Sequence, residues 1–358
     1  ETPNLERANS VASSSLGSSA SSQLDRKALD VMQDDMSDFQ QGSSFLQGIY
    51  GVLYTVCKEK FNVGYLAIFI RIILDWVQLF ELTFQESYGY VIKDNLWAWN
   101  AISSLTFEQL FGSRGFSFFI AVFYIMVALL VFVLALCVWT AWCFKNRSFP
   151  YVWPIVALRI YSNIFFQVFD VTSLNLFQLT FDCRPHALGF PRDVAGTYTT
   201  FPTLYCKEFP QALHVAVGVA SLIVFVVLAL LMSAADFELS PVGKGPALVS
   251  NSEVETWSFA IKTAMTLVQQ EVGWNKVEAV LQCVLASYHA YMFIDAQPHL
   301  HAWAGHLRDA SYVSIAWVSL ISVILVNVRN NDPTKDLQMR RTVTYVALVG
   351  MGFAAVAG

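Results

Sequence analysis

The chain has 358 residues, of which 55% are hydrophobic and only 14% are charged, and its net charge is −5. A soluble domain usually has about 25% charged residues, and a nucleic-acid-binding domain is basic, so the composition excludes both classes. Several long apolar stretches indicate instead a protein that crosses the lipid bilayer more than once. We therefore expect an all-α polytopic transmembrane helical bundle, with the bilayer as its first partner.

The first 44 residues differ in composition from the rest. Residues 1–22 are rich in serine and residues 23–41 are polar, which predicts a flexible, polar cytosolic segment before a transmembrane domain over 45–358. The chain ends 16 residues into the apolar stretch that begins at Val343. At about 1.5 Å per residue this is short of a crossing of about 30 Å, so we expect the protein to continue beyond Gly358.

The apolar stretches predict about seven membrane-spanning helices. They cover residues 63–84, 116–144, 152–179, 213–232, 277–294, 312–328 and 343–358. Residues 45–56 predict an interfacial helix that leads into the first span. Ser252, with Glu255 three residues later, forms a capping box that opens an amphipathic helix over about 253–270, and we expect this helix at the cytosolic interface.

Positive charge predicts the orientation. With the N-terminus in the cytosol, 14 Lys and Arg residues fall in the inner segments and 6 in the outer ones, which favours this arrangement. The protein is then expected in the plasma membrane or the ciliary membrane. Cys183 and Cys206 flank an outer loop after the third span, where an oxidising compartment permits a disulfide. The alternative is two free thiols.

Two of the predicted spans carry polar residues at helical spacing. One of these stripes lies in the first span and the other in the third. The stripes consist of Arg71, Asp75, Gln78 and Glu81, and of Arg159, Asn163, Gln167 and Asp170. Their spacings of three and four residues place each set on one face of an α-helix. Because charged groups are costly in the hydrocarbon core, such residues face protein or water.

The stripes have a functional and a structural interpretation. In the first they line a water-filled path, and Asp75 or Asp170 binds a cation or carries a proton. In the second, Arg71 pairs with Asp75 one turn along the helix, while Arg159 and Asp170 meet polar partners on neighbouring helices. The second interpretation needs no pore, and the local balance of charge favours it.

A second candidate site lies in the outer loop after the fifth span. It contains His299, His301 and His306, with Asp295 and Asp309 nearby. Imidazole and carboxylate groups could bind Zn²⁺ or Cu²⁺, or could sense pH. A solvated loop that happens to be rich in histidine is the simpler interpretation. The chain has no catalytic signature such as GxSxG, HExxH or a Walker A loop, so we expect neither an enzyme nor a cofactor.

The order of several short motifs resembles one protein family. These motifs are Gly51-Val52-Leu53-Tyr54, Trp76-Val77-Gln78-Leu79-Phe80, Phe181-Asp182-Cys183 and the later Cys206. Over about residues 45–330 the chain resembles the N-terminal membrane region of proteins similar to tiny macrocysts protein B, from amoebae, green algae and other protists. The chain departs from this pattern at 297–301, where it reads Gln-Pro-His-Leu-His.

The resemblance implies a large multi-pass protein that often continues into PAS-type sensory or cyclase-like segments. We accordingly expect a non-enzymatic membrane module of a larger sensory or signalling protein, which anchors and couples cytosolic domains. An ion channel or transporter subunit that uses the two stripes is the first alternative. An accessory subunit of a membrane complex is the second. Protein partners or a homo-oligomer fit each of these functions, and nucleic acid fits none.

Overall fold

The computed structural model describes most of the chain from residue 65 onward. The described residues are 48, 51–53, 65–91, 114–146, 151, 153–182, 201, 204–206, 208–234, 252–272, 274–297, 302–328 and 333–357. Most of these residues are helical, and there is no β-strand among them. The all-α prediction is therefore confirmed, whereas residues 1–44 lie outside the described part.

Nine α-helices make up the described structure. In chain order they are α1 (Tyr65–Thr83), α2 (Phe116–Lys145), α3 (Trp153–Tyr161), α4 (Asp170–Gln178), α5 (Gln211–Ala234), α6 (Ser252–Glu271), α7 (Asn275–Ala296), α8 (Ala302–Asn327) and α9 (Pro333–Ala357). A 3₁₀ turn follows α1 at Glu86–Tyr88, and a π-helical turn at Ser162–Phe166 follows α3.

Four of these helices, α2, α5, α7 and α8, are long and apolar enough to cross a membrane. The number rises to five if α3 and α4, which are bent by 76° at the break between them, form one broken span. Large apolar side chains such as Ile125, Ile223 and Val284 face outward on these helices, as a lipid-facing surface requires. The helices indicate an integral membrane protein, but the predicted count of seven spans is not confirmed.

The chain divides into two compact units. The smaller unit takes in the described residues up to Val52 together with those from Val138 to Asn146, and the larger unit takes in the rest. In the smaller unit, glycines lie close to the end of α2. A Cβ atom on Gly48 would lie 3.3 Å from Ala141 Cβ, and one on Gly51 would lie 2.8 Å from Phe144 Cβ. Larger side chains at these two positions would therefore be crowded.

In the larger unit, α6 lies inside the bundle. The prediction of an interfacial helix at about 253–270 is wrong, because this helix packs against α4, α5, α7 and α1. It begins at Ser252, as the capping box predicts, and buries Val254, Ile261 and Met265. The amphipathic pattern predicts an interfacial position, but two charged residues of the helix, Glu255 and Lys262, are buried among partners on other helices.

Contacts between helices show their relative directions. Asp75 and Trp76 on α1 meet Tyr312 and Ser314 on α8, and Thr83 further along α1 meets Ser322, so α1 and α8 run parallel. By the same test α4 and α6 run parallel, because Asp170 meets Lys262 and the later Gln178 meets the later Thr266. Both run parallel to α1, where Asp75 meets Lys262 and the later Gln78 meets Thr172. In contrast, α7 runs antiparallel to α6, since Ser258 meets His289 while Met265 meets Gln282.

Candidate functional site

Lys262 on α6 is buried between two carboxylates. Its Nζ lies 2.5 Å from Asp75 Oδ1 on α1 and 2.9 Å from Asp170 Oδ2 on α4. All three side chains are at most 6% exposed. An ammonium group between two carboxylates keeps its charge, since the short-range attraction offsets the cost of burial. One acidic residue of each predicted stripe, Asp75 and Asp170, therefore meets the other through a third helix.

A second buried ion pair adjoins the first. The guanidinium of Arg308 on α8 binds Glu255 on α6 through both terminal nitrogens, and Nη2 lies 2.9 Å from Oε2. Arg308 Nε also donates to Tyr312 Oη at 2.9 Å, and that hydroxyl donates to Asp75 Oδ2 at 2.9 Å. Tyr312 thus joins the two ion pairs into one network, which we call the charge cluster: Asp75, Asp170, Glu255, Lys262, Arg308 and Tyr312.

The bend between α3 and α4 positions Asp170 in this cluster. The backbone leaves helical geometry at Gln167 and Phe169, and α4 begins at Asp170, whose Oδ1 accepts from the Val171 N–H at 2.8 Å. A break leaves backbone groups without helical partners, and in a membrane these must be satisfied by other groups. Gln78 on α1 supplies partners for two of these backbone groups, because its Nε2 donates to Val168 O and its Oε1 accepts from the Thr172 N–H.

The charge cluster is one end of a longer polar column along α6. Five residues form this column at helical spacing: Glu255, Ser258, Lys262, Thr266 and Gln269. Over the 14 steps from the first to the last residue, an α-helix advances about 21 Å, which is a large part of a hydrocarbon core of about 30 Å. The length of the column is therefore comparable to much of the thickness of a hydrocarbon core.

Amide side chains from α4 and α7 contact the other half of α6. Gln178 Nε2 on α4 donates to Thr266 Oγ1 at 3.0 Å, and Gln282 Nε2 on α7 donates to Met265 O at 2.7 Å. Within the described part of the chain, the buried Oε1 atoms of Gln178, Gln269 and Gln282 accept no hydrogen bond. Buried acceptors of this kind are costly unless another group binds them.

His289 on α7 adds a further polar group beside the cluster. Its Nε2 lies 2.8 Å from Ser258 Oγ, and its ring packs against that of Tyr312 with the ring centres 4.1 Å apart. At 2% exposure it is enclosed by the bundle. This hydrogen-bonded position agrees with its place in a membrane-spanning helix, where an imidazole needs a polar partner.

A small cavity opens beside the charge cluster. Its volume of about 20 Å³ suits one water molecule or a small ion, and it is partly open. Arg71, Gln167 and Asp170 from the two predicted stripes line it, together with Lys262 and Arg308. The structure therefore brings members of both stripes to one place, with Arg71 on α1 and with Gln167 and Asp170 at the bend between α3 and α4.

The remaining stripe residues have other positions. The expected pairing of Arg71 with Asp75 is not formed, because Lys262 and Tyr312 bind Asp75 instead. Arg159 and Asn163 precede the bend and do not line the cavity, so the second stripe is not one helical face. Glu81 is half-buried near the end of α1.

The histidine and cysteine predictions fall mostly outside the described residues. His299, His301 and Cys183 lie outside them, whereas Cys206 is buried. A disulfide between Cys183 and Cys206 therefore stays a prediction. Residues 302–311 belong to α8 and not to a loop, which puts the exposed His306 and the buried Asp309 on a helix. Among the described residues, no group of three His, Cys, Asp or Glu side chains could hold a metal ion.

Sequence reasoning missed Lys262, Glu255 and Arg308. The signal for the first two was present, because the polar residues of α6 repeat at the same three- and four-residue spacing as the two recognised stripes. The predicted sixth span begins at 312, ten residues after the start of α8, and therefore leaves Arg308 in a loop. A count of polar residues by helical face, made without regard to mean hydropathy, would have found Glu255 and Lys262.

Comparison with known protein families, with characterised proteins and with solved structures finds no match for this chain.

Proposed function

We propose that this chain is a non-enzymatic, ion-translocating membrane subunit in which the polar column of α6 carries protons or small ions. The observation that carries the proposal is the column itself, with buried groups of both signs at one end and open amide acceptors at the other. Ionisable residues in the interior of a membrane bundle most often belong to ion paths or proton relays.

The bend beside Asp170 supports the same proposal. Broken helices in membrane proteins commonly expose backbone or side-chain groups to a transported ion at the break. Here the break places Asp170 and Gln167 at the small cavity, and Asp170 shares Lys262 with Asp75. Protonation of either carboxylate would weaken its ion pair with Lys262. The ammonium group could then stay with the other carboxylate, which gives the column two alternative ion pairs.

Reconstitution in liposomes tests the proposal. With an internal pH-sensitive dye and an imposed potential, the protein should conduct protons or a small ion, and Asp170→Asn should reduce the flux about tenfold or more. Asp295→Asn is the matched control, because Asp295 is exposed at the end of α7. Absence of flux through folded protein at either polarity, or equal flux in both variants, would overturn the proposal.

A membrane module of a larger sensory or signalling protein is the second candidate. It is favoured by the way the charge cluster ties α1, α4, α6 and α8 together, since such a network transmits a shift of one helix to the others. The resemblance to membrane regions of tiny macrocysts protein B-like proteins motivates the same function. An accessory subunit of a membrane complex would need a stoichiometric partner on purification.

The finer placement of the chain is also a proposal. We infer that α1, α6 and α9 cross the bilayer together with α2, α5, α7, α8 and the bent pair of α3 and α4, because the directions of successive spans can then alternate along the chain. A cytosolic N-terminus, a plasma-membrane or ciliary location and a Cys183–Cys206 disulfide in the connection between α4 and α5 complete this arrangement. Mass spectrometry of the unreduced protein tests the disulfide.

A further inference from the structure

We propose that the cavity beside the charge cluster binds a small monovalent anion such as chloride, with Arg71 as its principal ligand. The volume of about 20 Å³ has room for one particle of roughly the size of water, which includes a halide and excludes a larger carboxylate ligand. This inference goes beyond the proposed function, and it does not depend on ion passage.

In the described part of the chain, one cation that lines the cavity has no carboxylate beside it. Three cationic side chains line it, and two acidic ones, so its lining has one positive charge in excess; these are Arg71, Lys262 and Arg308 against Asp170 and Glu255. Lys262 pairs with Asp170 and also with Asp75, which does not line the cavity. Arg308 pairs with Glu255, so these charges together with Arg71 balance. Within the lining, Arg71 is the cation that none of these ion pairs holds.

Arg71 is the cation without a counterion. Among the described residues, no carboxylate lies within ion-pair distance of its guanidinium, although the side chain is half-buried on α1. A guanidinium that loses water without gaining a negative partner is unfavourable, and in a membrane bundle such a group is normally paired. An anion in the cavity would supply that partner.

The neutral residues of the cavity are suited to the same ligand. Ser162 on the π-helical turn, Ser233 near the end of α5 and Ser258 on α6 all line it, and Gln167 adds an amide. Hydroxyl and amide groups donate hydrogen bonds to an anion, whereas the two acidic residues are already held by Lys262 and Arg308. The cavity thus offers hydroxyl and amide donors and one guanidinium that contacts no carboxylate among the described residues.

Thermal unfolding in chloride-free buffer tests this inference. The protein in nanodiscs should show a saturable rise in Tm of about 5 °C when sodium chloride or bromide replaces sodium gluconate at constant ionic strength. Arg71→Gln should lose this rise. Arg114→Gln should keep it, because Arg114 is exposed at the start of α2. Equal Tm in chloride and gluconate, or the same rise in Arg71→Gln as in the natural chain, would overturn the proposal.

Bromide located by anomalous scattering in crystals of the natural chain keeps the inference testable if Arg71→Gln does not fold. Density beside Arg71 supports it, and a cavity that holds only water overturns it. The outcome is distinguishable from that of the flux assay. A protein that binds chloride without passing ions supports this inference and counts against the proposed function. A protein that passes ions without binding chloride supports the proposed function and counts against this inference.

Discussion

At the scale of single residues, the charge cluster explains how five ionised groups are retained inside an apolar bundle. Each of its carboxylates contacts a cation, and Tyr312 supplies an additional donor to Asp75. Breaking such a buried pair leaves an uncompensated charge, which costs about 3–5 kcal/mol, whereas removal of all partners together can be nearly neutral. The stability of the bundle should therefore depend on the balance of the cluster more than on any single charge.

Lys262→Met tests this dependence on balance. The variant leaves Asp75 and Asp170 close together without their shared cation, so the free energy of unfolding should fall by about 3–5 kcal/mol. Adding Asp75→Asn and Asp170→Asn should recover most of the loss. Unfolding in detergent measures both, and Lys276→Met serves as a control because Lys276 is exposed. Losses that simply add in the triple variant would contradict the balanced-cluster account.

The sequence predicted part of the charge cluster. Asp75 and Asp170 stood out because each lies in a strongly apolar stretch. Their partner could not be predicted from the same pattern, because Lys262 is 92 residues from Asp170 in sequence. The local pairing of Arg71 with Asp75 was expected from i,i+4 spacing. It is not formed because Lys262 reaches Asp75 from another helix.

At the scale of elements, close approach of helices fixes the position of α4. Gly218 on α5 faces Thr180 just after α4, and a Cβ atom there would lie 2.8 Å from Thr180 Cβ. Both Thr180 and its neighbour Phe177 are fully buried, so neither can move aside. The absence of a side chain at Gly218 is therefore what allows α5 to hold the second half of the bent pair.

Gly218→Ala is predicted to destabilise the protein. The added methyl group overpacks the contact with Thr180 and should lower the free energy of unfolding by about 1–3 kcal/mol. Gly352→Ala on α9 is the matched control, because a Cβ atom there has no neighbour within 4 Å and Ala favours the helix. Thermal unfolding of the two variants compares them. A Gly218→Ala protein as stable as the Gly352→Ala protein would refute the close contact.

The helices themselves were largely predictable, and the bend was not. The predicted spans at 116–144 and 213–232 agree with α2 and α5 within a few residues, because both are long and uniformly apolar. The stretch 152–179 was predicted as one helix, since it has no internal Pro or Gly after Pro154. Gln78 on α1 hydrogen-bonds Val168 within the break and Thr172 after it, and such a tertiary contact has no local sequence signal.

At the scale of the whole larger unit, the buried position of α6 changes the predicted topology. Because α6 runs parallel to α1, α4 and α8, the connection from α4 to α5 and the connection from α7 to α8 lie at opposite ends of the helices. The sequence interpretation placed both outside. The crossing of the membrane by α6 that we propose would account for this difference.

Labelling of introduced cysteines tests this arrangement. In a variant with its natural cysteines replaced, Phe209→Cys before α5 and Gln297→Cys after α7 should react from opposite sides of the membrane. An impermeant maleimide applied to intact cells should label one of them, and the other only after permeabilisation. Both residues are exposed, so access through the protein does not limit the reaction. Labelling of both from the same side would restore the sequence-based topology.

The most direct test of the account is ion flux through the triple variant Lys262→Met/Asp75→Asn/Asp170→Asn in liposomes. This variant removes the ionised centre of the polar column while it avoids uncompensated buried charge, so loss of function is separated from loss of fold. We predict a folded protein that passes no protons or small ions, beside a natural chain that does. Flux through the folded triple variant equal to that of the natural chain would contradict a role for the column in ion passage.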